Sequence, residues 1–301
     1  MVHINDSQIM NDSITPRAQA LYDFTSPVAS PPQRIVSLVP SLTESLFDLN
    51  LGDRLVAISS GCIHPADRIA DLPRLGHPLT PDVDRLLALQ PDLVLLNTDV
   101  NPPEVAERLQ QAGTTTWVTD TATVEKALNV LWQIMYVFDE PGMSERVRWI
   151  ERQMDWTGSA SAAHEPVRVF APIWYDPWIT AGRHAYTHDL LRICGGDNVF
   201  GHRGGDQDPT AASGDAAHGE ARYPRVTLSA VEAAQPDAIL IPHQFDERAV
   251  KQLAGLDVPA VHAGRVRRLD GTLLTWAGTR LAYALAEIPP LLALSEEDHL
   301  D

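Results

Sequence analysis

Short apolar blocks alternate with helix-patterned stretches along most of this chain. Arg34–Val39 (RIVSLV) is an apolar, β-branched run that predicts a strand, and Ser41–Leu49 predicts a helix after it. Leu55–Ser59 predicts a strand, Asp82–Leu89 an amphipathic helix and Leu93–Leu96 a buried strand. Glu104–Ala112 and Thr116–Thr119 add a helix and a strand. Strands alternating with helices imply a parallel sheet. A long helical stretch follows, over Val124–Phe138 and Met143–Trp156, with a break expected at Pro141-Gly142. Leu128, Leu131, Trp132 and Met135 recur there at helical spacing, the pattern of a core-facing stripe. The pattern then restarts: strand Arg168–Ile173, helices Ala185–Cys194 and Leu228–Ala234, strand Ala238–Ile241.

The restart is a repeat. Leu89-Gln90-Pro91-Asp92 followed by Leu93–Leu96 recurs as Ala234-Gln235-Pro236-Asp237 followed by Ala238–Ile241. The expected fold is therefore α/β, two Rossmann-like lobes joined by a long backbone helix. The expected division is a disordered leader 1–33, an N-terminal lobe 34–121, a linker helix 122–160 and a C-terminal lobe 166–296. Within the last, the Gly/Asp/Ala-rich stretch 202–221 reads as an insertion. Ligands of open α/β sheets bind beyond the carboxyl ends of the strands, so a small-molecule ligand is expected in the cleft two such lobes form.

Charge narrows the partners. A formal net charge of −17 argues against nucleic acid, whose phosphates need a Lys/Arg surplus. Two cysteines are too few for a disulfide scaffold. The N-terminal stretch lacks a basic segment followed by an apolar core, so the chain as written is expected to be cytoplasmic, or extracytoplasmic if its start lies upstream.

Enzyme signatures are missing: no G-x-x-x-x-G-K-[ST], G-x-S-x-G, H-E-x-x-H or C-x-x-C occurs. Gly195-Gly196 follows a helix and suits a C-cap better than a dinucleotide loop. Three clusters carry candidate chemistry. Trp174, Tyr175 and Trp178 sit on a strand-end loop, where they could stack on a flat ligand or pack beneath it. Arg183 suits a carboxylate or phosphate, and His184 with His188 is a candidate metal pair or a polar helix face. Cys62 and His64, with His77, are ligand types for a borderline metal.

RIVSLVPSLTESLFDL, PDVDRLLALQPDLVLL and ITAGRHAYTHDLLRICGGDNVFG resemble the cobalamin and iron-siderophore substrate-binding proteins of ABC transporters. The specific motifs are Pro-x-x-Thr-Glu at Pro40–Glu44, Pro-Asp before the last strand of each half, and Cys-Gly-Gly-x-Asn at Cys194–Asn198. The resemblance implies two lobes, ligand binding without catalysis, and an ABC transporter permease as partner. It puts a docking acid at Asp84, with Ser229 at the matching place in the second half. Where cobalamin-binding members stack aromatics from the first lobe, this chain has Gly61 and Pro78, while Tyr223 stands at the matching loop of the second.

The expected function is thus a monomeric binding protein for a metal chelate or corrinoid-like ligand: cobalamin, haem or a ferric siderophore. No intrinsic cofactor is expected. Its expected contacts are Trp174, Tyr175, Trp178, Arg183, His77, Tyr223 and Trp276, the last either closing the site or packing on a final helix over Arg280–Leu285. The alternative is a cytosolic metal-dependent enzyme or metal chaperone built on Cys62, His64 and His77, and it fails if Cys62 is buried.

Overall fold

The structure, a computed structural model, describes residues 30–202 and 222–293. The expected leader up to residue 29, the insertion from 203 onward and the tail from 294 lie outside these residues. The chain divides into two compact units, Met1–Asp120 with Gln133–Pro141, and Thr121–Trp132 with Gly142–Asp301.

The first unit holds strands β1 (Ile35–Ser37), β2 (Leu55–Ile58), β5 (Leu93–Asn97) and β6 (Thr116–Thr119) in one parallel sheet of order β2-β1-β5-β6. A small antiparallel hairpin, β3 (Gly76–His77) and β4 (Thr80–Pro81), precedes helix α2 (Val83–Ala88). Helices α1 (Pro40–Asp48) and α3 (Pro103–Gln111) complete the layers. β5 is buried at all five positions, as a central parallel strand covered on both faces must be. Val36, Leu38, Val94 and Leu96 pack with Leu86 and Leu109 into the core.

The helical stretch is two helices, α4 (Val124–Val137) and α5 (Ser144–Ser161). The expected break is there: α4 ends before Asp139, which turns at φ 50°, and Pro141–Met143 forms a short 3-10 turn. The division between units falls inside α4, after Trp132.

The second unit repeats the first. β7 (Val167–Phe170), β10 (Gly196–Asn198), β11 (Ala238–Pro242) and β12 (Val266–Leu269) form a parallel sheet of order β10-β7-β11-β12. The single strand expected over Arg168–Ile173 is two elements. β7 ends at Phe170, and β8 (Pro172–Trp174) turns into an antiparallel hairpin with β9 (Ile179–Thr180). Helices α6 (Tyr186–Ile193), α7 (Leu228–Ala234), α8 (Glu247–Ala254), α9 (Pro259–His262), α10 (Thr272–Thr275) and α11 (Leu281–Leu292) surround the sheet. Gly195, at φ +88°, ends α6 as the expected C-cap.

The repeat extends to the hydrogen bonds. Arg34 caps the helix before β5, donating to the carbonyls of Leu89 (2.7 Å) and Gln90 (3.4 Å). Arg168 does the same for Ala234 (2.6 Å) and Gln235 (3.4 Å) before β11. Gln90 and Gln235 both take left-handed φ, 49° and 45°, and the Pro-Asp that follows cannot continue the helix. Asp92 and Asp237 then donate their backbone N–H to the Arg34 and Arg168 carbonyls at 3.0 and 2.7 Å. The Gln-Pro-Asp repeat is thus a helix stop that sets the entry of the central strand. Among the described residues no helix is long and apolar enough to cross a membrane.

Candidate functional site

Each sheet offers a face at the carboxyl ends of its strands, where backbone groups leave the ladder and loops carry the side chains. In the first unit this face is built by the loops after β1 and β2 and by the β3–β4 hairpin. Ser60 donates to the Gly76 carbonyl (2.7 Å) and Asn101 donates Nδ2 to the Pro78 carbonyl (3.0 Å), fastening the hairpin to the strand ends. Asn101 is itself held, because its Oδ1 accepts the Asn97 N–H at 2.9 Å. A Cβ at Gly61 would lie 3.1 and 3.2 Å from the rings of Pro78 and Pro40, so this stretch of backbone packs directly on the hairpin. Ile63 and Leu79, 52% and 54% exposed, stand out from the surface, and His77 is exposed beside Leu79.

In the second unit the β8–β9 hairpin carries the aromatic cluster, and the structure separates its members. Trp174 is 60% exposed. Trp178 is 8% exposed and belongs to the core with Phe170, Val199, Phe200 and Phe245, so its expected role as a ligand contact is corrected. The turn between β8 and β9 folds back on the sheet and packs Trp178 against Phe245 and Tyr175. Tyr175 lies between these extremes. Its ring packs on Phe245 (centroids 5.0 Å) and Trp178 (6.0 Å), and its hydroxyl donates to the Asp246 carboxylate. That hydrogen bond holds the Tyr175 hydroxyl above the ordinary phenol range. Asp246 is held below the usual carboxylate range, first by the Ala249 N–H that it accepts as the cap of α8 and then by Tyr175.

The remaining expected residues scatter. Arg183 is exposed beyond β9, where the Gly182 N–H donates to the Arg222 carbonyl. Tyr223 is half-buried on the adjoining segment, which runs along β9 through Thr180 N–H to Pro224 carbonyl. Trp276 is half-buried under the Arg280 guanidinium, 5.4 Å from its centroid, and so packs at the start of α11. His184 precedes the first residue of α6, so it shares no helical turn with His188. Burial pushes the His188 imidazole below its ordinary range.

The metal reading fails. Cys62 is wholly buried, its sulfur 3.1 Å from the Thr43 hydroxyl and 3.3 Å from that of Ser59. Burial raises its thiol pKa, which disfavours the thiolate a metal would bind. Among the described residues no three His, Cys, Asp or Glu side chains group to hold a metal ion. The metal-dependent enzyme or metal chaperone on Cys62, His64 and His77 falls with the burial of Cys62.

Sequence reasoning missed Ile63, Leu79, Asn101 and Asp246. Ile63 and Leu79 had a signal, being large apolar residues inside polar, proline-punctuated loops.

A family model described as periplasmic binding protein matches residues 35–273. The chain belongs to this family. The family is one of binding proteins rather than enzymes. Among curated relatives, a vitamin B12-binding protein of Vibrio cholerae is 27% identical over 269 residues, covering 89% of this chain and 91% of that protein. A vitamin B12-binding protein of Yersinia pestis is 26% identical over 288 residues, covering 93% and 96%. Two solved structures share the fold. The periplasmic vitamin B12 binding protein of Vibrio cholerae has a TM-score of 0.72 at 24% identity, covering 87% of this chain and 97% of that one. A periplasmic heme-binding protein from Roseiflexus sp. RS-1 gives 0.69 at 23%, covering 87% and 98%. The expected cytoplasmic location is corrected by these findings, because the family and both solved structures are described as periplasmic and point outside the cytoplasm.

Proposed function

We propose that this protein binds a metal chelate of the corrinoid or haem class and delivers it to an ABC transporter permease. The contacts proposed for the ligand lie at the strand-end loops of each unit, His77 in the first and Trp174 and Arg183 in the second. The curated relatives that support this are vitamin B12-binding proteins matched over nearly their whole length. The observation that carries it is Trp174, an indole left 60% exposed while the other large aromatics of its hairpin are taken up by the core. An exposed indole costs solvation that a flat, apolar macrocycle recovers on stacking. Arg183 supplies a cation for a carboxylate or phosphate on the ligand's rim. Cyanocobalamin, haemin and a ferric hydroxamate should be titrated separately, following ligand absorbance and tryptophan fluorescence. One of them is expected to bind with a Kd below about 10 μM, roughly −7 kcal/mol. Failure of all three at about tenfold higher concentration removes the proposal.

Docking rests on Asp84, whose side chain is 82% exposed on α2. It pairs with Arg108 at 2.6 Å, but a pair this exposed contributes little and exchanges readily for a partner's arginine. At the matching place in the second unit, Ser229 is exposed and bonds the Thr227 hydroxyl at 2.9 Å, so docking charge is one-sided. The protein acts as a single chain, and light scattering should return one chain's mass. Asp84→Ala should leave ligand affinity intact and reduce stimulation of the cognate transporter's ATPase.

A further inference from the structure

We propose that His77 meets the ligand as a hydrogen-bond donor through Nε2–H, and not as an axial ligand to the metal. This deepens the corrinoid or haem reading and rests on it.

The deciding contact is local. His77 Nδ1 accepts the backbone N–H of Leu79 at 3.2 Å. A neutral imidazole has one lone pair and one N–H, so a ring that accepts through Nδ1 carries its proton on Nε2. A metal-ligating histidine has the opposite arrangement. One nitrogen gives its lone pair to the metal and the other donates its N–H to an acceptor. Turning His77 into a ligand through Nε2 would set a proton on Nδ1 against the Leu79 N–H.

The surroundings keep that geometry in place. His77 pairs with Thr80 across the β3–β4 hairpin. The hairpin is tied down at the Gly76 and Pro78 carbonyls, and again by Asp82 N–H to the Leu75 carbonyl at 2.7 Å. Ile63, on the loop after β2, and Leu79, on the hairpin, each expose about half their surface. The first unit therefore offers exposed aliphatic side chains and one imidazole N–H at its strand-end loops. That suits the edge of a macrocycle, where carboxylate or amide oxygens project, and not its metal centre.

Two measurements test the assignment. Histidine-selective 15N NMR of the unliganded full chain, with the His77 signal identified by its loss in His77→Gln, should show the Nε2-protonated tautomer. Aquacobalamin, whose axial water exchanges, and cyanocobalamin, whose axial cyanide does not, should bind within about threefold of each other. Neither should take on the spectrum of an imidazole-ligated cobalt, and haemin should show no His77-dependent low-spin signature. His77→Ala should weaken binding about three- to tenfold, the usual loss of one hydrogen bond, and His77→Gln, which keeps an N–H, should recover part of it. An Nδ1–H tautomer overturns the assignment. So does an imidazole-type shift present in the wild type and absent from His77→Ala, or unchanged affinity in that variant. If neither a cobalamin nor haemin binds, the ligand reading falls and the contact falls with it, whereas a wrong tautomer with intact binding sinks the His77 assignment alone.

Discussion

Trp178→Ala separates core from binding face most sharply. The indole is 8% exposed and meets Tyr175 and Phe245 at centroid distances of 6.0 and 6.1 Å, within the core of the second unit. A buried aromatic removes roughly 200 Å² from water, worth about 5 kcal/mol at about 25 cal/mol per Å². Alanine keeps only the Cβ share, which leaves a loss of about 4 kcal/mol, inside the usual range of about 3–5 kcal/mol for Trp→Ala. In a chain of this size that lowers the melting temperature by about 8–16 °C, at about 2–4 °C per kcal/mol. The control is Trp174→Ala on the same hairpin. With 60% of its surface exposed, it should move the midpoint by about 1 °C or less and weaken ligand binding about tenfold instead. Calorimetry or circular dichroism gives the midpoint, and fluorescence titration with cyanocobalamin or haemin gives the affinity. A Trp178→Ala midpoint within about 3 °C of wild type, together with a large loss of affinity, would refute the core assignment.

Other outcomes follow from particular contacts. Burial pushes the Cys194 thiol up to about 12 and raises that of Cys62, so neither should react with a disulfide reagent in the native protein at pH 8, and both should react in denaturant. Arg34→Ala and Arg168→Ala each remove a helix C-cap and should cost about 1 kcal/mol by urea denaturation; because the two caps serve different sheets, the double variant should be additive within about 0.5 kcal/mol. Burial lowers the folded-state pKa of His188, so the unfolded chain binds its proton first and stability drains as pH falls through about 6.5. Between pH 7.5 and 5.5 the fall in urea midpoint should therefore be smaller in His188→Gln than in wild type, and an equal fall would remove His188 as a source of acid lability.

The alternation of strands and helices, the repeat and the helix stops were all legible in the sequence because they are local. Gln90-Pro91-Asp92 and Gln235-Pro236-Asp237 stop a helix whatever surrounds them, since proline forbids the next turn. β5, apolar from Leu93 through Leu96, and β11, apolar throughout, declare a sheet covered on both faces by lacking any polar alternation. Gly195 announced its C-cap for the same reason, because glycine takes positive φ without a Cβ clash. What the sequence could not decide is which side of a loop a residue faces. Trp174 and Trp178 lie four residues apart in one aromatic run, and only the fold of the β8–β9 hairpin sends the first into solvent and the second into the core. Cys62, His64 and His77 resemble a metal set in composition, but burial among hydroxyls disarms the thiol, and the Leu79 N–H claims the lone pair of His77. Period and turn chemistry are written in neighbouring residues. Burial and hydrogen-bond partners depend on distant residues, such as Asn101 beneath Pro78 or Phe245 beneath Tyr175, which come together only when the chain packs.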